Sequence, residues 1–214
     1  MNVTPLRPKI SDCLDGFEHI NRFWDRQHNR FVAKILPGEF YVTRGDEMIA
    51  TTLGSCVSAC IWDVRRGIGG MNHFMLPLTE KQSHEVSWGN EISDATRYGN
   101  YAMEHLINEI LSHGGRRKNL RVKIFGGGKV IKQLSDIGKK NIEFVLEYIE
   151  IENLTLLSAD TGETFPRKLV FDPIDGTAKV KKLRTIHNNT IVNREEEYQK
   201  DIIQQPVEGD IELF

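Results

Sequence analysis

The sequence has no run of some 18 apolar residues of the kind a membrane span requires, and residues 1 to 9 lack the apolar stretch of a signal peptide. Membrane insertion and export are therefore not expected, and the reading is a cytoplasmic protein. Cysteine is scarce: three residues, Cys13, Cys56 and Cys60, an odd number that suits a reducing compartment and leaves at least one thiol free. Excess charge of either sign is also missing. Lys plus Arg (28) nearly balances Asp plus Glu (30), and the net charge of -2 exerts no general pull on phosphate backbones or anionic lipid, which argues against nucleic acid as a partner. Internal repeats are absent. The Gly126-Gly-Gly128-Lys129 run lacks the spacing of a phosphate loop and suits a tight turn better.

What is present is the ordinary material of a globular protein, 39% apolar and 27% charged over 214 residues. Residues 1–32 read as an N-terminal extension, in which Phe17, Ile20, Phe23 and Trp24 have the spacing of one helical face. After Pro37-Gly38 the texture is β-like: residues 39–43, 48–52, 56–62 and 68–76 are rich in β-branched and aromatic residues. Met103, Leu106, Ile107 and Ile110 predict a helix that opens at Ser93 or Asp94 and stops at Gly114-Gly115. A strand over 120–125 and a helix bearing Ile142, Val145, Leu146 and Ile149 follow. Residues 168–180 read as a closing hairpin around Asp175-Gly176. Residues 189–214, with Arg194-Glu-Glu-Glu197 and Gln204-Gln-Pro206, read as a polar, mobile tail, and its end, Asp210 to Phe214, is a candidate docking segment.

The chemistry concentrates at Thr51-Thr-Leu-Gly-Ser-Cys56. A strand that gives way to Gly54-Ser55 just before a cysteine can lift the thiol out of the sheet and turn successive backbone N–H groups toward one point, as an oxyanion hole requires. A free thiol has a pKa of about 8.5 and needs a base to become a good nucleophile. Of the seven histidines, His84 lies in a polar loop, while His105 and His113 fall on the outside and last turn of the predicted helix. His73 sits in an apolar strand one connection after the cysteine strand, where hairpin pairing brings imidazole to thiol. The residues alone leave open a structural reading, since free cysteine is among the most buried residue types. A zinc site from Cys56, Cys60 and His73 is disfavoured, because the cysteines are four apart on a strand and no second ligand pair appears.

Leu53-Gly-Ser-Cys-Val57, Gly70-Met-Asn-His-Phe-Met-Leu-Pro77, Arg97-Tyr98-Gly99, Lys123-Ile-Phe-Gly-Gly127 and Ile137-Gly138 followed by Asn141, in this order, closely resemble the chemoreceptor glutamine deamidases, the CheD family. The similarity runs from about residue 33 to 183, which makes 33–188 the expected deamidase domain. The resemblance implies an α+β fold, a mixed or layered β core with helices packed outside, of the kind found in some toxins that deamidate host proteins. It implies Cys56 as nucleophile, His73 as base, and a threonine that orients the histidine: Thr51, with Thr52 as fallback. Gly54 and Ser55 would belong to the oxyanion loop. It also implies glutamines of methyl-accepting chemotaxis receptors as substrate, glutamyl methyl esters as a second substrate, a receptor-associated chemotaxis phosphatase as partner, and no cofactor. A non-enzymatic adaptor and a redox thiol protein using Cys56 and Cys60 are the alternatives. The loop from Ser158 to Pro166 departs from the Gly-Gly turn of many relatives.

Overall fold

A computed structural model describes residues 9–77, 94–130, 136–184 and 189–204. Ser93, His84, His187 and the 210–214 segment fall outside them. The architecture is α+β, built on two five-stranded mixed sheets. The first contains, in spatial order, β1 (Asn21–Asp25), β2 (Arg30–Lys34), β4 (Glu47–Leu53), β9 (Arg167–Phe171) and β10 (Ala178–Lys182). The second contains β3 (Phe40–Thr43), β6 (Ile68–Asn72), β5 (Val57–Asp63), β7 (Leu120–Gly126) and β8 (Thr155–Thr161).

Strand β5 is the middle strand of the second sheet, and every one of its residues is buried. That burial on both faces explains its largely apolar texture, interrupted by Ser58 and closed by Asp63. Two helices pack on this sheet: α1 (Asp94–Ser112) over β6, β3 and β5, and α2 (Ile137–Ile151) over β5 and β8. The periodic residues Met103, Leu106, Ile107 and Ile110 are the buried stripe of α1. The other face of β5 meets the first sheet, where Trp62 stands edge-on to Phe171 of β9 with ring centroids 5.9 Å apart. One core joins both sheets and both helices.

The segment β7, α2, β8 is a parallel crossover, with β7 and β8 paired in parallel and α2 between them in sequence. Strand β8 was not expected. Its first residues are exposed, so the alternation that betrays a half-buried strand is missing from Thr155-Leu-Leu-Ser158. The 168–180 hairpin forms as β9 paired with β10, although six residues connect the two strands.

Two expectations are corrected. The stretch through Phe17 and Trp24 is no helix: β1 begins at Asn21 and pairs antiparallel with β2, Phe23 opposite Val32. An aromatic and β-branched pairing across a hairpin wins over the weak 3.6-residue spacing. Strand β2 then pairs in parallel with β4, so the first sheet runs across the boundary at residue 32. Residues 189–204 of the expected tail are likewise not loose. Residues Asn189–Gln204 form α3, whose Glu195, Gln199 and Ile202 are buried.

Candidate active site

The site lies where the chain crosses from one sheet to the other. Strand β4 of the first sheet ends at Leu53, the turn Gly54-Ser55-Cys56 follows, and Val57 opens β5 of the second. Val57 and Phe74 exchange backbone hydrogen bonds of 2.9 and 3.0 Å, and Cys60 pairs with Met71. This register sets Ser58 opposite His73 and Cys56 one diagonal step away on the same face, the distance at which cross-strand side chains meet.

Both side chains are sealed. Cys56 is 0% and His73 1% exposed. His73 Nδ1 lies 2.8 Å from Thr51 Oγ1, and Thr51 Oγ1 also lies 2.9 Å from the Ile35 carbonyl, which only a donor satisfies. A hydroxyl has one proton. Because Thr51 donates it to Ile35, Thr51 accepts at His73, so Nδ1 carries the imidazole proton and Nε2 carries the lone pair. His73 Nε2 has no hydrogen-bond partner among the described residues. Thr51 is buried, whereas Thr52, one residue on, is partly exposed on the opposite face of β4.

The backbone around the thiol is turned by contacts from behind. Gly128 N–H donates to the Gly54 carbonyl at 2.8 Å, the Asn141 side-chain amide donates to the Ser55 carbonyl at 2.9 Å, and Gly127 N–H donates to the Cys56 carbonyl at 2.7 Å. In a trans peptide the N–H points away from the C=O. Pinning the carbonyls of Gly54 and Ser55 therefore aims the N–H groups of Ser55 and Cys56 forward. The glycine run permits this close approach of backbone to backbone. Gly126 holds φ +109°, and a Cβ there would lie 2.2 Å from the Cys56 carbonyl oxygen. Asn141 completes the frame by accepting from Leu76 N–H at 2.9 Å.

The forward-facing N–H groups converge on a carboxylate. Glu195 of α3 accepts from Gly54 N–H and Ser55 N–H at 2.8 Å each, from Cys56 N–H at 3.3 Å and from the Ser55 hydroxyl at 2.7 Å. Three successive amides on one anion form a nest. Glu195 was missed from the sequence because it sits in Arg194-Glu-Glu-Glu197, which reads as a solvated charge run; the apolar spacing of Tyr198 and Ile202 was the available hint. A Glu195 carboxylate oxygen, a His73 ring nitrogen and the Cys56 sulfur lie within 4.8 Å of one another. Cys60 is not part of this group, and Glu195 spends its oxygens on the amide nest, so the donor set does not match the Cys56, Cys60 and His73 zinc reading.

The electrostatics suit an uncharged resting pair. Burial pushes the Cys56 thiol well above its usual range, and the neighbouring Glu195 carboxylate adds to it. Burial also lowers His73 to about 3, assisted by the positive charge of Arg194. Thiol and imidazole are both neutral here.

A buried thiol, an imidazole with a free lone pair, and amides focused on one point can together support nucleophilic acyl chemistry. Residues 75–182 match the family described as CheD chemotactic sensory transduction. The chain belongs to the CheD family. A probable chemoreceptor glutamine deamidase CheD from Halorhodospira halophila is 56% identical over 205 residues, 96% of this chain and 94% of that protein. Proteins of the same printed name from Hahella chejuensis and, as CheD 1, from Shewanella oneidensis are 49% and 47% identical, each over 98% of this chain and 97% and 98% of their own. The similarity to these CheD proteins extends through α3, which lies beyond the family match at 182.

Proposed function

We propose that the chain hydrolyses the side-chain amide of specific glutamines in methyl-accepting chemotaxis receptors, giving glutamate and ammonia. The observation that carries this reading is the engagement of the Thr51 proton by Ile35, which leaves the Nε2 lone pair free on His73, a ring with a nitrogen within 4.8 Å of the Cys56 sulfur. The names of the CheD relatives supply the substrate class.

In the proposed reaction His73 Nε2 takes the thiol proton as Cys56 Sγ attacks the amide carbon and the C=O electrons move onto oxygen. The N–H groups of Ser55 and Cys56 hold that oxyanion. Collapse of the tetrahedral species breaks the C–N bond, and the imidazolium returns its proton to the departing ammonia. His73 then draws a proton from water as it attacks the thioester, the C–S bond breaks, and the imidazolium returns that proton to the leaving sulfur, giving glutamate and the free thiol. Thr51 keeps the imidazole in the tautomer this cycle needs. A glutamyl methyl ester presents the same carbonyl with methanol as leaving group, so the same groups would serve. Binding to a receptor-associated chemotaxis phosphatase rests on the family resemblance.

Mass spectrometry of a receptor fragment after incubation tests the reading. A gain of about one dalton at a defined glutamine, lost with Cys56→Ala, is expected of amide hydrolysis through a thioester. Unchanged glutamines with the wild-type protein would overturn it.

A further inference from the structure

The CheD reading leaves α3 without a role, yet α3 places a carboxylate where the reacting carbonyl group has to be. Glu195 is 1% exposed, takes four hydrogen bonds from the Gly54-Ser55-Cys56 turn, and stands within 4.8 Å of both the thiol and the imidazole. A Cβ on Gly54 would lie 2.7 Å from Glu195 Oε2, so the turn leaves room for a ligand of this shape. The product of glutamine hydrolysis is a glutamate side chain, the same group on the same length of stem.

We propose that α3 is an internal pseudosubstrate: it lies in the groove that receives the receptor segment, Glu195 occupies the place of the product carboxylate, and turnover requires α3 to leave. The inference rests on the deamidase reading and adds a mode of substrate recognition. The residues that seat α3, Glu195, Tyr198, Gln199 and Ile202, follow the i, i+3, i+4, i+7 spacing of a helix laid into a groove. The segment that replaces it is by the same logic helical, with glutamine at the Glu195 position and an aromatic or aliphatic residue one turn later.

Two features make α3 displaceable. It approaches the two sheets sparsely, and the buried amide of Gln199 has no hydrogen-bond partner on either its nitrogen or its oxygen among the described residues. An unsatisfied buried amide weakens the seat. The hydrogen bond between the Tyr98 and Tyr198 hydroxyls holds the middle of the helix. α3 also disarms the pair electrically, since Glu195 disfavours the Cys56 thiolate and Arg194 disfavours the His73 imidazolium.

The test uses the full chain and iodoacetamide, with alkylation read at each cysteine by peptide mapping. Ile202→Asp unseats the far end of α3, and Glu195→Ala removes the carboxylate from the amide nest. Both variants are expected to alkylate Cys56 about tenfold faster or more than wild type, as a cover that opens more often requires, while Cys60 stays protected and shows the core intact. Ile202→Asp is also expected to convert the receptor fragment faster. Cys56 alkylation at the wild-type rate in both variants, with Cys60 protected, overturns the proposal even if the receptor is deamidated. Faster Cys56 alkylation with no glutamine converted by any form leaves α3 as a cover and removes the deamidase reading instead.

Discussion

Thr51 Oγ1 lies 2.8 Å from His73 Nδ1 while giving its proton to the Ile35 carbonyl, and this one shared oxygen fixes which imidazole nitrogen can act as a base. In the proposed reaction the consequence is a KM-neutral loss on mutation. Thr51→Ala frees the ring to flip or change tautomer, and kcat is expected to fall by about 10². Thr51→Ser retains the hydroxyl and should recover most of it. Equal loss in both variants would mean that Thr51 acts through packing of β4 alone.

Acid stability provides a second check on His73. In the unfolded chain an imidazole titrates near 6.5, whereas the buried His73 is held down to about 3. Between these values the unfolded state binds a proton that the folded state refuses, so stability falls as pH drops below about 6.5 and the loss continues to about pH 3. The slope from this residue is at most about 1.4 kcal/mol per pH unit. Urea unfolding of wild type and His73→Gln across this range should give curves whose difference flattens above pH 6.5. Parallel curves throughout would show that His73 is protonated without penalty. Carboxylates held low by their partners, such as Asp63 and Asp175, contribute alike to both proteins.

The closeness of Cys56 and His73 was legible in the sequence because they flank the buried strands β5 and β6, whose register follows from hairpin pairing, Val57 against Phe74. Asn141 was legible only as one residue of a family motif; its work, pinning the Ser55 carbonyl from α2, depends on a contact between residues 86 apart. Thr51 could not be separated from Thr52 until β4 had a defined inner face. Glu195 was hidden for a different reason. Its burial is specified by the amides of Gly54, Ser55 and Cys56, and backbone donors leave no trace in side-chain patterning. The same applies to β8, an edge strand whose pairing to β7 is carried by the backbone while Leu157 stays 52% exposed.

Cys56 and Cys60 should separate cleanly on mutation. Four residues along extended chain is about 13 Å between Cα atoms, well beyond the roughly 7 Å limit for a disulfide, so the two thiols cannot bridge while β5 is intact. Cys60 is 0% exposed and burial pushes its thiol well above the usual range, which makes it an inert core group. Cys60→Ala is expected to keep receptor deamidation and to cost about 1 kcal/mol of stability. Cys56→Ala is expected to abolish the activity. A peroxide-induced Cys56-Cys60 disulfide in the folded protein, read by mass after alkylation, would restore the redox alternative.

Asn141 ties the stability of the fold to the geometry of the site. Its side chain donates to the Ser55 carbonyl and accepts from Leu76 N–H, and both partners are buried with it. Asn141→Leu keeps the volume but orphans one donor and one acceptor, a cost of about 3 kcal/mol. The Ser55 carbonyl then has no anchor, and the Cys56 N–H across the same peptide is no longer aimed at the point where the proposed oxyanion forms. The loss in kcat for receptor deamidation should therefore exceed the loss in folded fraction, measured on the same sample by urea titration. Asn141→Asp sharpens the test: it keeps an acceptor for Leu76 N–H but sets a carboxylate against the Ser55 carbonyl, so it should be the less stable variant at neutral pH and recover as the acid group is protonated. If Asn141→Leu loses stability while its folded fraction retains full activity, the Ser55 peptide is held by the Gly127 and Gly128 contacts alone, and α2 contributes packing to the site without orienting it.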